Sequence, residues 1–556
     1  MRVLIFHGYP LRGTGSNVYN AELARALATA GHDVHLLCQG RSPEQLGFVD
    51  AIGEWRDDRL RVRSLGRDRP QGWGRCTVYR PEIMGLLPVY VADRYEGFTA
   101  RPFGELSELE LDDYLRRNVD AVRDVCALTR PECALANHMV MGPCILARAL
   151  PEEVPYAVKI HGSAMEYTVR PNPRFLPHAI EGLARCATAL VGSRHIAERL
   201  LDTVRIDGLE QRTFLGPPGV DVDRFVPRNR ADARGALLSV ANLVDALPRR
   251  GYGPAAAAAT AALYGRVSGD ERPTYDQVAA ELAALHAGYD TAGIDTDAPR
   301  ALRALAAVPD APVVLFVGKL IVSKGVDLLL TAWPLVLREH PDAQLAIAGF
   351  GAYREGLEML LDALSAGDLD VARQIAAGGR AFEGGDGDSL NYVIAFIDSL
   401  AGDAREAYLR AASGMRAQVH WFGRLEHDVL PDVIAAADAQ VVPSTFPEAF
   451  GMVAAEAAAC GVPPVCANHS GLAEVTHLLE RGLPGALASM LSFDLGDRAV
   501  ERLAACMNGL LRLDRPARAE LAARLSETAR AEFSWAGVAA ELTMAARGDH
   551  SRLRRP

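Results

Sequence analysis

Pro443-Ser444-Thr445-Phe446-Pro447-Glu448-Ala449-Phe450-Gly451-Met452-Val453-Ala454-Ala455-Glu456 follows Ala439-Gln440-Val441-Val442, whose composition predicts a buried strand, and runs into an alanine-rich segment to Cys460, which predicts a helix stopped by Gly461. A strand therefore delivers a loop to a helix start. The prolines at 443 and 447 favour extended backbone, and Gly451 lets main chain come close to whatever sits above the helix end. First-turn N–H groups near Phe450, Gly451 and Met452 would face an anion, and the helix dipole favours a phosphate there.

Two carboxylates flank that point. Glu448 lies before the helix and Glu456 within it, on the order of 10 Å apart at 1.5 Å per residue. That exceeds the roughly 5 Å of a retaining glycosidase pair. It suits two hydroxyl-bearing groups at opposite ends of a diphosphate, a sugar and a ribose. On these two residues alone, a solvated loop acid and a helix-surface acid are an equal reading.

The form Pro-Ser-x-x-x-Glu-x-Phe-Gly-x-x-x-x-Glu-Ala-x-Ala-x-Gly-x-Pro, from Pro443 to Pro463, resembles the donor-site signature of the retaining glycosyltransferases of the GT-B fold, family 4 in particular. The resemblance implies an α/β protein with two Rossmann-like domains whose parallel sheets face a central cleft, and a C-terminal helix crossing back to the N-terminal domain. The expected division is an acceptor-binding domain over 1–225, an Ala-rich helical insertion or linker over 226–310, a nucleotide-sugar donor domain over 311–530 containing a second insertion at 353–415, and a crossing helix with basic tail over 531–556.

Further segments fit that frame. Arg2 to Phe6, Ser16 to Ala30 and Val34 to Cys38 read as a βαβ unit opening a parallel sheet. Its loop contains Gly13-Thr14-Gly15-Ser16-Asn17. A dinucleotide fingerprint would want a third glycine where Val18 stands, which argues against an NAD site. The loop is similar to the family's Gly-Gly-x-Asn form, which faces the donor diphosphate, with Gly15 and Asn17 matching and Thr14 replacing the first glycine. Residues 41–110 show little periodicity and read as loops with short elements; 111–129 reads as an amphipathic helix carrying Arg116, Arg117 and Arg123, either a solvated face or a membrane-surface one. His138 and His161 each follow a strand, where ligands bind in open α/β sheets. His138 is as readily a satisfied structural imidazole; Lys-Ile-His-Gly-Ser at 159–163 resembles the family's strand ending in a histidine that contacts the transferred sugar.

Pro312 to Val317 reads as a strand running into Gly318-Lys319-Leu320-Ile321-Val322-Ser323-Lys324-Gly325. Two cations five residues apart in such a loop can hold both phosphates and neutralise charge building on a leaving group, or they are surface lysines. The resemblance assigns them to the diphosphate, with a point charge at Lys319 where the family also uses a bidentate arginine. It places Arg424 and Leu425, after the strand at 419, beside the nucleobase, and Gly318 and Ala449 among the donor contacts. His161, Lys319, Lys324 and Glu448 are then the catalytic set, and Glu456 holds the ribose.

The chain has 556 residues, a net charge of −11, 49% hydrophobic and 23% charged residues, an ordinary globular composition with no general case for nucleic acid. Nine scattered cysteines without a Cys-x-x-Cys pair argue for reduced thiols and against structural zinc or disulfides. The apolar run at the start is too short for a signal peptide, and no later stretch is long enough to span a bilayer. The expectation is a cytoplasmic enzyme, with the inner membrane face left open, that transfers a sugar from a nucleotide diphosphate sugar to a sugar, lipid or small-molecule hydroxyl with retention, without metal or other cofactor. A nucleotide-sugar epimerase of the same fold and a non-catalytic nucleotide-sugar-binding scaffold are the alternatives.

Overall fold

Side-chain alternation organises the first sheet. In the Arg2–Phe6 strand, Leu4 and Phe6 enter one core while Val3 and Ile5 enter another, so both faces are covered, as a parallel sheet requires. The computed structural model describes residues 1–12, 15–57, 59–90, 95, 97–216, 219–270, 272–385 and 387–556. The chain divides into two units, Met1–Gly219 with Phe533–Pro556, and Val220–Glu532.

The first unit holds a nine-stranded sheet in the order Thr213–Leu215, Thr188–Val191, Tyr156–Lys159, Cys133–Asn137, Arg2–Phe6, Asp33–Leu37, Cys76–Arg80, Ala51–Arg56, Arg59–Ser64. Every neighbouring pair is parallel except the last. Three of these strands lie within 41–110, which in sequence reads as loops with short elements. The miss has a physical source: Arg59–Ser64 is an edge strand, and its arginines at 59, 61 and 63 point to solvent, so no buried alternation marks it. Helix Glu108–Thr129 starts at a capping box, with Ser107 N–H donating to Glu110 at 2.8 Å and Glu110 N–H donating to Ser107 Oγ at 3.3 Å. Its arginines are engaged by acids of the same helix, Arg116 and Arg117 by Asp113, and Arg123 by Asp120. The C-terminal helix Trp535–Ala546 buries Trp535, Val538 and Leu542 against the Val3 and Ile5 face. Burying each such side chain contributes about 1.5–3 kcal/mol. No helix among the described residues is long and apolar enough to cross a membrane.

The second unit holds six parallel strands in the order Val419–Trp421, Gln344–Phe350, Val313–Lys319, Ala439–Val442, Pro464–Ala467, Ser492–Phe493. In chain order that is 3-2-1-4-5-6, the doubly wound arrangement, and its order reverses between Val313–Lys319 and Ala439–Val442. The first of these runs two residues further than predicted, because Gly318 and Lys319 pair with Gly349 and Phe350; Lys319 is a strand end and not a loop residue. The helix that follows Val419–Trp421 begins at Leu430.

Both insertions are helical. Residues 226–310 give Arg230–Asp245, Pro254–Val267, Tyr275–His286 and Ala298–Ala306; 353–415 gives Arg354–Ala366, Leu369–Gly378, Asn391–Ser399 and Gly402–Ala412, with Asp386 of its acidic glycine-rich stretch outside the described residues. They pack on one another through the buried Arg354, whose guanidinium lies 4.4 Å from the Tyr252 ring and 4.0 Å from the Trp421 ring and is ion-paired to Asp295 at 2.5 Å and Glu358 at 2.9 Å. Asp438 ties three segments together at the base of the sheet: it accepts from Val313 N–H at 2.8 Å, from Arg230 at 2.7 Å and from Arg518.

Candidate functional site

Two loops meet where the second sheet reverses order. Thr445 N–H donates to the Ser323 carbonyl at 2.9 Å, joining the loop after Val442 to the loop after Lys319. Gly325 has a φ of +69°, and a Cβ there would lie 2.0 Å from the Pro443 carbonyl oxygen, so only glycine allows this approach.

Glu448 is fixed from several sides. Lys324 Nζ and Ser444 Oγ both donate to its Oε1, the latter at 2.6 Å. Its own N–H donates to Ser470 Oγ at 2.8 Å, and its carbonyl accepts from Gly471 N–H at 2.8 Å. His469 Nε2 is 2.8 Å from the Ser444 carbonyl, which requires the proton on Nε2 and leaves Nδ1 to accept from Ser470 Oγ at 3.1 Å. The sequence reading gave Lys324 and Glu448 separate duties; here they are a pair, each positioning the other. Lys319 is exposed at the end of its strand.

Glu456 is not a helix-surface acid. It is 4% exposed on helix Met452–Ala459, and its Oε1 lies 2.9 Å from His427 Nε2, whose ring packs 5.1 Å from Phe225. Gly451 caps this helix, with Val475 only 3.0 Å from where a Cβ would be; Ala449, Phe450 and Met452 are half-buried around it. Phe446, in the same loop, is 52% exposed. Arg424 stacks 5.5 Å from the Phe350 ring and pairs with Glu426 at 3.2 Å, and Leu425 is buried beside it. Gly318 has the Phe316 ring 3.1 Å from where a Cβ would sit.

Ser444 stands in the Pro443–Glu456 stretch without an assigned role, and His427, His469 and Ser470 join the site through the folded loops. Glu383, in the acidic glycine-rich stretch of the second insertion, has no role assigned by the sequence. Its Oε2 accepts from Val322 N–H at 2.7 Å, so the insertion holds the backbone between the two lysines. No spacing rule connects residues that far apart in the chain.

The first unit gathers its own polar cluster at the carboxyl ends of Arg2–Phe6, Cys133–Asn137 and Tyr156–Lys159, where its strand order reverses. His161 Nε2 donates to Asn137 Oδ1 at 2.9 Å, Asn137 Nδ2 to Asn20 Oδ1 at 2.7 Å, and Asn20 Nδ2 to the Ser16 carbonyl at 2.8 Å. That chain of bonds fixes His161 to the helix Gly15–Thr29 that carries Gly15 and Asn17. Asn17 Oδ1 lies 3.1 Å from His7 Nε2, and Asn17 Nδ2 donates to the Arg12 carbonyl at 2.8 Å. Among the described residues a Cβ at Gly15 would meet nothing within 4 Å; Gly13 and Thr14 lie outside them.

His138 is not a satisfied imidazole. It is 3% exposed, neither ring nitrogen has a hydrogen-bond partner among the described residues, and its ring lies 4.9 Å from His161 and 4.4 Å from Tyr90. Burial lowers its pKa to about 3, with His7 adding to the effect, and lowers that of His7 to about 4. His161 falls well below the usual range, through burial first and then through His138 and Lys159. All three rings are neutral near pH 7. Lys159, buried and donating to the Gly216 carbonyl at 3.0 Å, drops to about 7 through burial.

Residues 298–369 and 386–488 match the family described as glycosyl transferases group 1, and residues 14–212 match the glycosyl transferase 4-like domain; together the matches reach well over half of the chain. A glycogen synthase of Mycobacterium tuberculosis is 30% identical over 226 residues, 40% of this chain and 40% of its own length. A GDP-mannose-dependent alpha-(1-6)-phosphatidylinositol monomannoside mannosyltransferase of the same organism is 29% identical over 273 residues, 49% of this chain and 57% of its own. The match thus spans less than two thirds of either relative. Sucrose-phosphate synthase from Thermosynechococcus elongatus has the same fold, with a TM-score of 0.52 at 18% identity, covering 98% of each chain.

Proposed function

Because the chain belongs to the glycosyl transferases group 1, the family 4 glycosyltransferases of GT-B fold, we propose that it moves a sugar from a nucleotide diphosphate sugar to an acceptor hydroxyl with retention of anomeric configuration. The observation that carries this reading is the Lys324–Glu448–Ser444 cluster at the point where the second sheet reverses order. A cation and a carboxylate side by side there suit the two halves of the donor: Lys324, with Lys319, faces the diphosphate, and Glu448 accepts from sugar hydroxyls. Glu456, buried and fixed by His427, holds the ribose hydroxyls. Arg424 and Leu425 lie against the base, and Gly318 and the segment Ala449–Met452 complete the donor contacts.

In this mechanism the bond between the anomeric carbon and the phosphate oxygen breaks as the acceptor oxygen attacks from the same face. The acceptor proton passes to the departing phosphate. The two lysines stabilise charge that grows on the diphosphate, and they are in place before the reaction begins. They do so without a metal ion. In the first unit, neutral His161 is assigned to the transferred sugar, and Gly15 and Asn17 to the donor diphosphate. One relative is a GDP-mannose-dependent mannosyltransferase, and GDP-mannose is one donor to try first.

The test is thermal unfolding of the full chain with UDP, GDP, ADP and their hexose conjugates, followed by NMR of the product formed with the stabilising donor. A ligand at 100 times its Kd adds about 2.7 kcal/mol. One base class raising the midpoint, and a product with the donor's anomeric configuration, support the proposal. No stabilisation by any of them, or an inverted product, rejects it.

A further inference from the structure

Two helices of the first unit bring three metal-binding atoms together that the donor reading does not use. Gly142–Ala149 carries Cys144, and Leu176–Ala184 carries His178 and Glu181, three residues apart and therefore on one face. The helices touch at backbone level because of Gly182: a Cβ there would lie 2.6 Å from both Cys144 N and Pro143 Cβ. The Tyr156 hydroxyl donates to the Gly182 carbonyl at 2.6 Å and holds that approach. Cys144 Sγ is then 3.8 Å from His178 Nδ1 and 3.3 Å from Glu181 Oε2, with all three atoms within 4.8 Å of one another.

The sulfur's separations of 3.8 and 3.3 Å lie close to those of a coordination shell, and the third pair is within 4.8 Å. Zinc sits about 2.3 Å from thiolate sulfur and about 2.0–2.2 Å from imidazole nitrogen or carboxylate oxygen, so tetrahedral donors stand roughly 3.3–3.6 Å apart. We propose that Cys144, His178 and Glu181 form a site for one thiophilic divalent cation, zinc by the donor set. A sulfur ligand disfavours magnesium and calcium, which take oxygen. Arg148, one turn after Cys144, forks the same carboxylate, its Nε at 2.8 Å from Oε1 and its Nη2 at 2.7 Å from Oε2. Oε2 retains a second lone pair, and an outer hydrogen bond of this kind orients a ligating carboxylate. Cys144 is buried, His178 half-buried and Glu181 exposed, which leaves a side open for ion entry and for water as the fourth ligand. The cation takes the place of the Cys144 thiol proton, and one proton passes to solvent as the metal–sulfur bond forms. No Cys-x-x-Cys spacing announces the site, because its donors come from segments 34 residues apart.

The full chain, stripped with a chelator, is titrated with cobalt(II) and then with zinc. The expected result is one cobalt per chain, a thiolate-to-cobalt charge-transfer band with the visible spectrum of a tetrahedral ion, and its loss on adding zinc. Cys144→Ser should abolish the charge-transfer band, and His178→Ala should weaken cobalt binding at least tenfold while leaving the metal-free melting temperature unchanged. A titration without the charge-transfer band, or one unaffected in His178→Ala, overturns the site. If Cys144→Ser does not fold, His178→Ala and Glu181→Gln carry the test alone.

Discussion

Lys324 and Glu448 are ion-paired across the reversal of the second sheet, and Ser444 donates to the same carboxylate oxygen. Both side chains of the pair are partly exposed, at 28% and 21%, so the pair contributes little to folding. Its use is in binding. Lys324→Ala should leave the melting temperature almost unchanged and raise the Kd for the preferred nucleoside diphosphate at least tenfold, since a charged hydrogen bond contributes about 1.5–3 kcal/mol. Isothermal calorimetry on both proteins checks this, and an unchanged Kd removes Lys324 from the donor site.

Glu383 acts on the same loop from a different part of the chain. Without its carboxylate, Val322 N–H loses its partner, and the segment between Lys319 and Lys324 loses a fixed point. Glu383→Ala should speed amide exchange over residues 320–325 and weaken nucleotide binding several-fold, whereas Glu383→Gln, which keeps an acceptor oxygen, should restore most of both. Equal loss in the two variants would show that charge, and not the hydrogen bond, is what matters.

Glu456 and His427 can be separated in the same way. His427→Ala leaves a carboxylate that is 4% exposed without its partner, which costs about 1–3 kcal/mol. Its melting temperature should fall. Glu456→Gln keeps an acceptor for His427 and should melt near the parent, yet bind nucleotide about tenfold more weakly. Were Glu456→Gln to bind as well as the parent, Glu456 would be a structural acid only.

The strand–loop–helix around Glu448 was legible because its signals are local. Ala439–Val442 and Met452–Ala459 fall where composition placed them, and the prolines and Gly451 occupy the turn between. The edge strand Arg59–Ser64 was not, since one row of exposed arginines carries no burial pattern. Partnerships were hidden for a related reason. Lys324 with Glu448, Glu383 with Val322 and His161 with Asn137 join segments through tertiary packing, and residue type alone states only what each group could do.

The buried rings of His7, His138 and His161 set a pH dependence whose sign follows from their lowered pKa values. Unfolded, each takes a proton near 6.5; folded, His7 waits until about 4 and His138 until about 3. Above pH 6.5 neither state binds the proton, and these groups add no slope. As pH falls below 6.5 the unfolded chain binds protons that the folded one refuses, so stability drops by up to about 1.4 kcal/mol per pH unit for each ring. Lys159, lowered to about 7, extends the same sign to higher pH, where the unfolded chain stays protonated and folding gains stability as pH rises from 7 towards 10.5. His138 isolates one ring, because its φ of +67° suits asparagine, which tolerates the left-handed region. Denaturant unfolding of His138→Asn should show about 2 kcal/mol less loss between pH 7.5 and pH 5 than the parent. Identical pH profiles for the two proteins would mean that His138 titrates in the folded state much as it does in the unfolded chain.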